Sequence, residues 1–504
     1  MAIFGFQLCF TIIMASFLQK LTPIYSLGRW ILCGGGLYRF VHPTNEELKK
    51  LAGKESSDKR SKKDVKNSTK KRHQPYKRSS EKTNNTTKEV FKIPKNVDIP
   101  LDTTNITVLD ALVLRKYDEY EWLVDYGLYA TIVYCGTEIY YEWWKPDPEF
   151  NISMVWSLLA IGFVCKNLFS IMKLYFKSES GELSTCITFG CFSFVASMAV
   201  LVVDEQTLEF GLDSAYNAFA QNASLLTIGA TVYPSPAPAP LPLPIIKIGV
   251  AFLSGIIGTL LAFPGIRTAQ MYVDGLKYSR GNQLIQLLLH INFATPFLIS
   301  FMWVRPLARD VLCGSNDIES VRKPFLTDHQ FDIARLIIIV SLCFLKILAF
   351  RTHLQAYLNV ACIKIRNLRR EAGQTTNTDI QKTVARVFFY LCVVALQYIG
   401  PVMAVLFLTM CLKTMGGYSW QQIKSDYVLN STYASFSQSH ANVLDEGATF
   451  SEMVSHAGVS LARMSAVFTP MVFRSIFSFL IWWLCTSWFI ASCLGIVYHR
   501  FLSI

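Results

Sequence analysis

Among the ionisable side chains inside long apolar runs of this 504-residue chain, Glu138, Lys166, His290, Lys346 and Arg474 stand out. A charge at the centre of a bilayer-spanning helix costs about 2.5–3.5 kcal/mol on insertion scales, so such groups normally face protein or water. Lys166 and His290, with Asn292 beside the latter, lie deepest in their runs. They are the best candidates for a polar pathway or ligand site in the core. Lys346 and Arg474 are within reach of an interface, where a long side chain snorkels to water. Glu138 lies near the end of its run and is the expected carboxylate partner of Lys166. One acid makes a thin cation pore, because no ring or repeated acidic set accompanies it. The competing reading is a set of structural ion pairs and snorkelling chains.

The elements that must hold these groups are readable from hydropathy. Residues of the AVILMFWYC set make up 52% of the chain and charged residues only 17%, which argues against an ordinary soluble enzyme or a disordered protein. Nine apolar blocks stand out, at about 2–18, 124–141, 152–172, 184–203, 245–264, 283–304, 332–350, 385–412 and 471–498. Most reach the roughly 20 residues a helix needs to cross the hydrocarbon. Lipid offers no partner for free backbone groups, so helix is the expected conformation. Runs such as Leu336–Leu342 lack the alternation of a membrane barrel strand. The expected fold is all-α: a polytopic helical membrane protein of about eight or nine spans with a disordered basic segment. Residues 1–18 read as a membrane anchor or signal-like segment. Residues 19–123 read as a polar basic region, and 124–504 as the multi-span domain.

Net charge is +12 and unevenly spread. Between Lys54 and Lys95 there are 15 Lys/Arg against 5 acids, so the basic balance describes one segment and no nucleic-acid partner is expected. Residues 54–106 are too poor in large apolar groups to offset chain entropy, and disorder is the expectation. Thr44 with Glu47 fits a capping box opening a short helix that Gly53 ends. Residues 225–244 read as a Pro-rich loop, in which the alternate prolines of Pro234–Pro244 favour an extended polyproline conformation. The loop 351–384 holds six Lys/Arg, while 204–244 holds none and carries Asp204, Glu205, Glu209 and Asp213. The positive-inside rule therefore places 351–384 in the cytoplasm. The sequons at Asn222 and Asn430 then face the glycosylating compartment. The 13 Cys are scattered without a C-x-x-C, so neither a disulfide framework nor a zinc site is expected.

No Walker A loop, G-x-S-x-G, H-E-x-x-H, EF-hand or dinucleotide fingerprint occurs, so no catalytic residue, metal or cofactor is assigned. Pro264 is expected to end the fifth span, Pro296 to interrupt the sixth, Pro401 the eighth, and Pro470 to open the ninth. Broken helices can line transport sites, but proline is also tolerated in membrane helices as a kink. Ser254 and Gly258 form a small-x-x-x-small packing pair. Residues 351–372 read as an amphipathic basic helix. Leu354, Leu358, Ala361, Ile365 and Leu368 form its stripe, with Lys364, Arg366, Arg369 and Arg370 mostly off it. Two readings stand: a helix lying on anionic lipid through those four cations, or a solvated helix packed on other cytosolic loops.

Several strings carry a resemblance in order from end to end. They are SLGRWILCGG (Ser26–Gly35), HPTNEEL (His42–Leu48), FPGIRTAQM (Phe263–Met271), LLHINF (Leu288–Phe293), HLQAYLN (His353–Asn359), VARVFFYLCVVALQY (Val384–Tyr398) and FTPMVFR (Phe468–Arg474). In these the chain resembles the transmembrane protein 161 family, departing from it at 54–95 and 225–244. The resemblance implies a multi-pass membrane protein without an assigned reaction. It further implies a role in excitable tissue, linked to heart rhythm and to calcium and potassium handling. On that basis the expected protein is a non-enzymatic regulator working through partner channels or pumps, in the plasma membrane or endoplasmic reticulum. The alternative is a transporter or channel with Lys166, His290 and Glu138 lining the pathway.

Overall fold

The computed structural model describes residues 6–44, 46–47, 92–93, 101–144, 151–176, 182–230, 242–279, 281–314, 326–371, 375–420 and 468–501. Helix α1 (Phe6–Leu21) leads to α2 (Leu27–Cys33), β1 (Tyr38–Val41), β2 (Lys92–Ile93), β3 (Asp102–Asn105) and α3 (Val108–Leu112). The long helices follow: α4 (Tyr117–Trp144), α5 (Ile152–Phe176), α6 (Glu182–Val200), α7 (Leu212–Ala230), α8 (Leu243–Tyr278) and α9 (Gln283–Phe301). Then come α10 (Arg309–Cys313), α11 (Asp328–Glu371), β4 (Thr375–Thr376), α12 (Asn377–Phe389), α13 (Leu391–Met415) and α14 (Pro470–Phe501). β1 pairs antiparallel with β3, and β2 with β4.

Among the described residues, seven helical segments are long and apolar enough to cross a membrane: α5, α6, α8, α9, α11, the α12–α13 run and α14. The chain is therefore an all-α polytopic membrane protein. The two remaining blocks fall short for different reasons. α1 has 16 residues, or about 24 Å at 1.5 Å per residue. α4 has 28 residues but carries acids along its length. Both pack in the same bundle. The buried Gln7 of α1 bonds the Tyr141 hydroxyl of α4, and its Oε1 accepts from the backbone N–H of Ile152 at the start of α5 (3.1 Å).

α13 is the axis. It is apolar on every side from Leu391 to Leu412, so it can be satisfied only by neighbours all round. α4, α5, α8, α11 and α14 supply them. α8 wedges between α6 and α14, and small residues permit the approach. Gly255 and Gly258 lie against Gly190 and Ser193 of α6, and Gly265 lies against Ala491 of α14. A Cβ at Gly258 would collide with the Ser193 side chain. Ser254 is buried, and its carbonyl accepts the Trp483 indole N–H at 3.0 Å.

Several expectations are corrected. Pro264 does not end its span. α8 runs through it to Tyr278, because one lost backbone bond is tolerable inside a packed bundle, and the Thr268 hydroxyl donates to the Pro264 carbonyl at 2.7 Å. Pro296 and Pro401 likewise sit inside continuous α9 and α13. Residues 351–372 are not a separate surface helix. Residues 351–371 continue α11, and Leu354, Leu358, Ala361 and Ile365 are buried within the protein against neighbours that include α12 and α13. The stripe therefore faces protein. Within 54–106, residues 102–105 form β3, held by its pairing with β1 and by burial of Ile106. The rest of 54–100 lies outside the described residues apart from β2. The Pro-rich loop is shorter than 225–244. Residues 225–230 complete α7 and Leu243 starts α8 with Pro244 in its first turn, where proline fits. Residues 231–241 lie outside the described residues. Thr44 and Glu47 do make the reciprocal capping bonds (2.8 and 3.4 Å), while Gly53 lies outside the described residues.

Parts of the polar region 19–123 pack against α4, α11 and α12. The Gly28 N–H at the start of α2 donates to the buried Asp125 carboxylate of α4 (3.1 Å). Arg351 of α11 donates to the Trp30 and Ile31 carbonyls and stacks on the Trp30 ring (4.7 Å). Arg29 pairs with Glu121, and Arg39 with Asp110.

Candidate functional site

The bundle core holds one polar node, assembled from four helices. Lys346 projects from α11 and is 2% exposed. Its ammonium donates to the Asn292 backbone carbonyl (2.9 Å) and side-chain Oδ1 (3.0 Å) on α9, and lies 4.3 Å from the Trp488 ring centroid on α14. Two oxygens and an indole face thus serve three N–H donors. Among the described residues no carboxylate is within ion-pair distance of this amine. The Asn292 Oδ1 must face the amine, so its Nδ2 is the donor elsewhere. It reaches the Tyr398 hydroxyl of α13 (2.8 Å) and His353 Nε2 of α11 (3.1 Å). His353 therefore accepts through Nε2 and carries its proton on Nδ1, which has no partner among the described residues. The Tyr398 hydroxyl returns its proton to the Lys346 backbone carbonyl at 2.9 Å. The ring of Tyr398 stacks on Phe350, 5.4 Å away.

A second charged assembly sits at one mouth of the bundle. Arg309 of α10 meets Asp328 (2.8 Å) and Asp332 of α11, and Glu209 from the segment before α7. Arg335 bonds Asp332 at 3.1 Å and lies over the Trp303 ring at 5.0 Å. Burial disfavours the Arg309 charge, but Asp332 and Glu209 outweigh it and hold its pKa above the usual value.

The residues nominated by sequence are not gathered in one place. Glu138 does not meet Lys166. It pairs with Lys413 at the end of α13 and accepts the Trp420 indole N–H at 2.9 Å. Lys166 is exposed on α5, because the turn that buries Asn167 rotates its neighbour outward. His290 is exposed too, with Nδ1 2.8 Å from the Tyr272 hydroxyl. Asn292, two positions on, is buried in the node. Lys346 does not snorkel; it lies in the core. Arg474 donates to the Gly416 and Gly417 carbonyls and lies 4.3 Å from the Tyr418 ring, capping the C-terminus of α13. Lys364 and Arg366 are exposed on α11, on which Arg369 and Arg370 also lie, with side chains outside the described residues. Asn222 lies half-buried in α7, and Asn430 is outside the described residues. Among the described residues no group of three or more His, Cys, Asp or Glu could hold a metal ion.

His353 entered the sequence reading only within the family-like string His353–Asn359, and Tyr398 and Trp488 were missed. A signal existed for His353, which is seven residues from Lys346, two turns on one helix face. Sequence reasoning also missed Asp125, Asp332 and Arg335, which lie inside apolar blocks near their ends and are buried or nearly so.

A family model described as predicted transmembrane protein 161AB matches residues 2–503. No solved structure matches the chain.

Proposed function

The chain belongs to the predicted transmembrane protein 161AB family, and from that premise we propose that it is a non-enzymatic membrane regulator of ion homeostasis and excitability. It acts on calcium and potassium handling through partner channels or pumps, with the end bearing Lys364 and Arg366 in the cytoplasm. The observation that carries this reading is the scatter of the would-be pathway. Lys166 faces outward from α5, His290 faces outward from α9, and Glu138 is closed in a pair with Lys413. The deeply buried Lys346 ammonium spends its donors on Asn292 and Trp488. These contacts make a lock between helices and leave the outer faces of the bundle for partners.

The test is flux by the purified protein in liposomes, paired with co-purification in mild detergent. The expected result is no potassium or calcium flux above empty liposomes, together with a co-purifying channel or pump whose current changes when the chain is removed. Flux by the protein alone, abolished by Lys166→Ala or His290→Ala, would overturn the proposal in favour of a transporter.

A further inference from the structure

At the end of the bundle opposite Arg309, three cations converge from three helices. Arg267 of α8 lies over the Tyr357 ring of α11 (5.9 Å), and the Tyr357 hydroxyl donates to the Val387 carbonyl of α12 (3.1 Å), next to Arg386. Lys364 is seven residues beyond Tyr357 on the same face of α11 and is close enough to feel both guanidinium charges. Lys364 and Arg386 are exposed and Arg267 is half-buried. Among the described residues none of the three has an acid within ion-pair distance, whereas several other cations at this end are paired. Arg29 has Glu121, Arg39 has Asp110 and Lys277 has Asp274. Like charges held together without a carboxylate call for an external anion.

The triad adjoins an apolar cleft. It is a narrow groove between α5 and α8, lined by Leu168, Ile171, Tyr175, Thr259, Leu260 and Phe263. Tyr175 stacks on Phe263 at 4.1 Å, and Phe263 is one helical turn before Arg267. Tyr175 also lies near Tyr357, the ring that carries Arg267. The depth matches as well. The apolar run 245–264 is about 30 Å long at 1.5 Å per residue, so Arg267 follows it at headgroup level.

We propose that this corner binds one anionic phospholipid, its phosphate held by Arg267, Arg386 and Lys364 and one acyl chain lying in the α5–α8 cleft. Guanidinium groups grip phosphate oxygens in a planar, two-pronged way. Basic pockets between helices on the cytoplasmic side suit such headgroups. The occupant is a lipid and not free phosphate, because the cleft beside the cations is lined almost entirely by apolar side chains and is of use only to a chain.

Native mass spectrometry of the full-length protein in detergent tests this, with phosphatidylserine and phosphatidylcholine as probes. The expected result is one retained phosphatidylserine, favoured about tenfold or more over phosphatidylcholine, and not displaced by inorganic phosphate. The paired change Arg267→Gln and Arg386→Gln should lower that retention about tenfold or more. Leu260→Trp, which fills the cleft and leaves the cations in place, should lower it also, at an unchanged melting temperature. Should the double variant fail to fold, Leu260→Trp carries the test. Equal retention of the two lipids, unchanged retention in the variants, or full displacement by phosphate would overturn the proposal.

Discussion

At the Arg309 mouth, Arg309 and Arg335 meet Glu209, Asp328 and Asp332. In the core, Lys346 meets only an amide, a backbone carbonyl and an indole face. Both regions hold buried cations, yet one answers charge with charge and the other with dipoles. The mouth is close to water, where an added carboxylate costs little to desolvate. In the core every extra charge would carry a penalty of several kcal/mol before any attraction repaid it. Neutral partners hold the ammonium there at lower cost, and they also tie four helices together. The regions should therefore differ in how they fail and in how salt affects that failure.

The largest effect is expected for Asn292→Ala. It takes the side-chain oxygen from the Lys346 amine, leaving that amine only the residue-292 backbone carbonyl and the Trp488 face, and takes the donor from His353 Nε2 and the Tyr398 hydroxyl. Loss of a partner of a buried charge costs about 3–5 kcal/mol. Unfolding in detergent should show this loss equally at low and high salt. Asn292→Asp, which keeps an oxygen for Lys346 but loses the donors to Tyr398 and His353, should cost less. Arg309→Met comes next. It leaves three carboxylates facing one another, at about 1–3 kcal/mol, and raised salt should recover much of that. A loss at Asn292 that salt relieved would erase the distinction between the regions. Glu138→Gln should cost less, about 1 kcal/mol, since the amide oxygen can still accept from Lys413 and Trp420 and only the charge of the pair is lost. Lys166→Ala should be smallest, within about 0.5 kcal/mol, because the side chain is exposed. A larger loss would show that its face is covered.

The helices were legible in the sequence because apolar runs long enough to span lipid admit one conformation. What sequence could not fix was rotation and partnership. His290 and Asn292 stand two positions apart, and helical geometry turns one out and the other into the node. Lys346 lies late in its run, which suggests an interface, but α9 and α14 cover it. The pairing of Glu138 with Lys413 joins α4 to α13 across more than 270 positions, a separation no local pattern encodes. The stripe at 354–365 showed the right periodicity and left its neighbour open, because periodicity does not say whether lipid or protein covers an apolar face. Pro264 misled for a related reason: its cost depends on the helices around it.

The central claim is that Lys346 is sealed from water in a node held by Asn292. Reductive methylation of the native full-length protein in detergent, followed by peptide mapping, reads it directly. Lys277, whose side chain is 55% exposed, is expected to be modified while Lys346 stays unmodified until Asn292 is replaced or the protein is unfolded. Modification of Lys346 at the rate of Lys277 in the intact protein would contradict it.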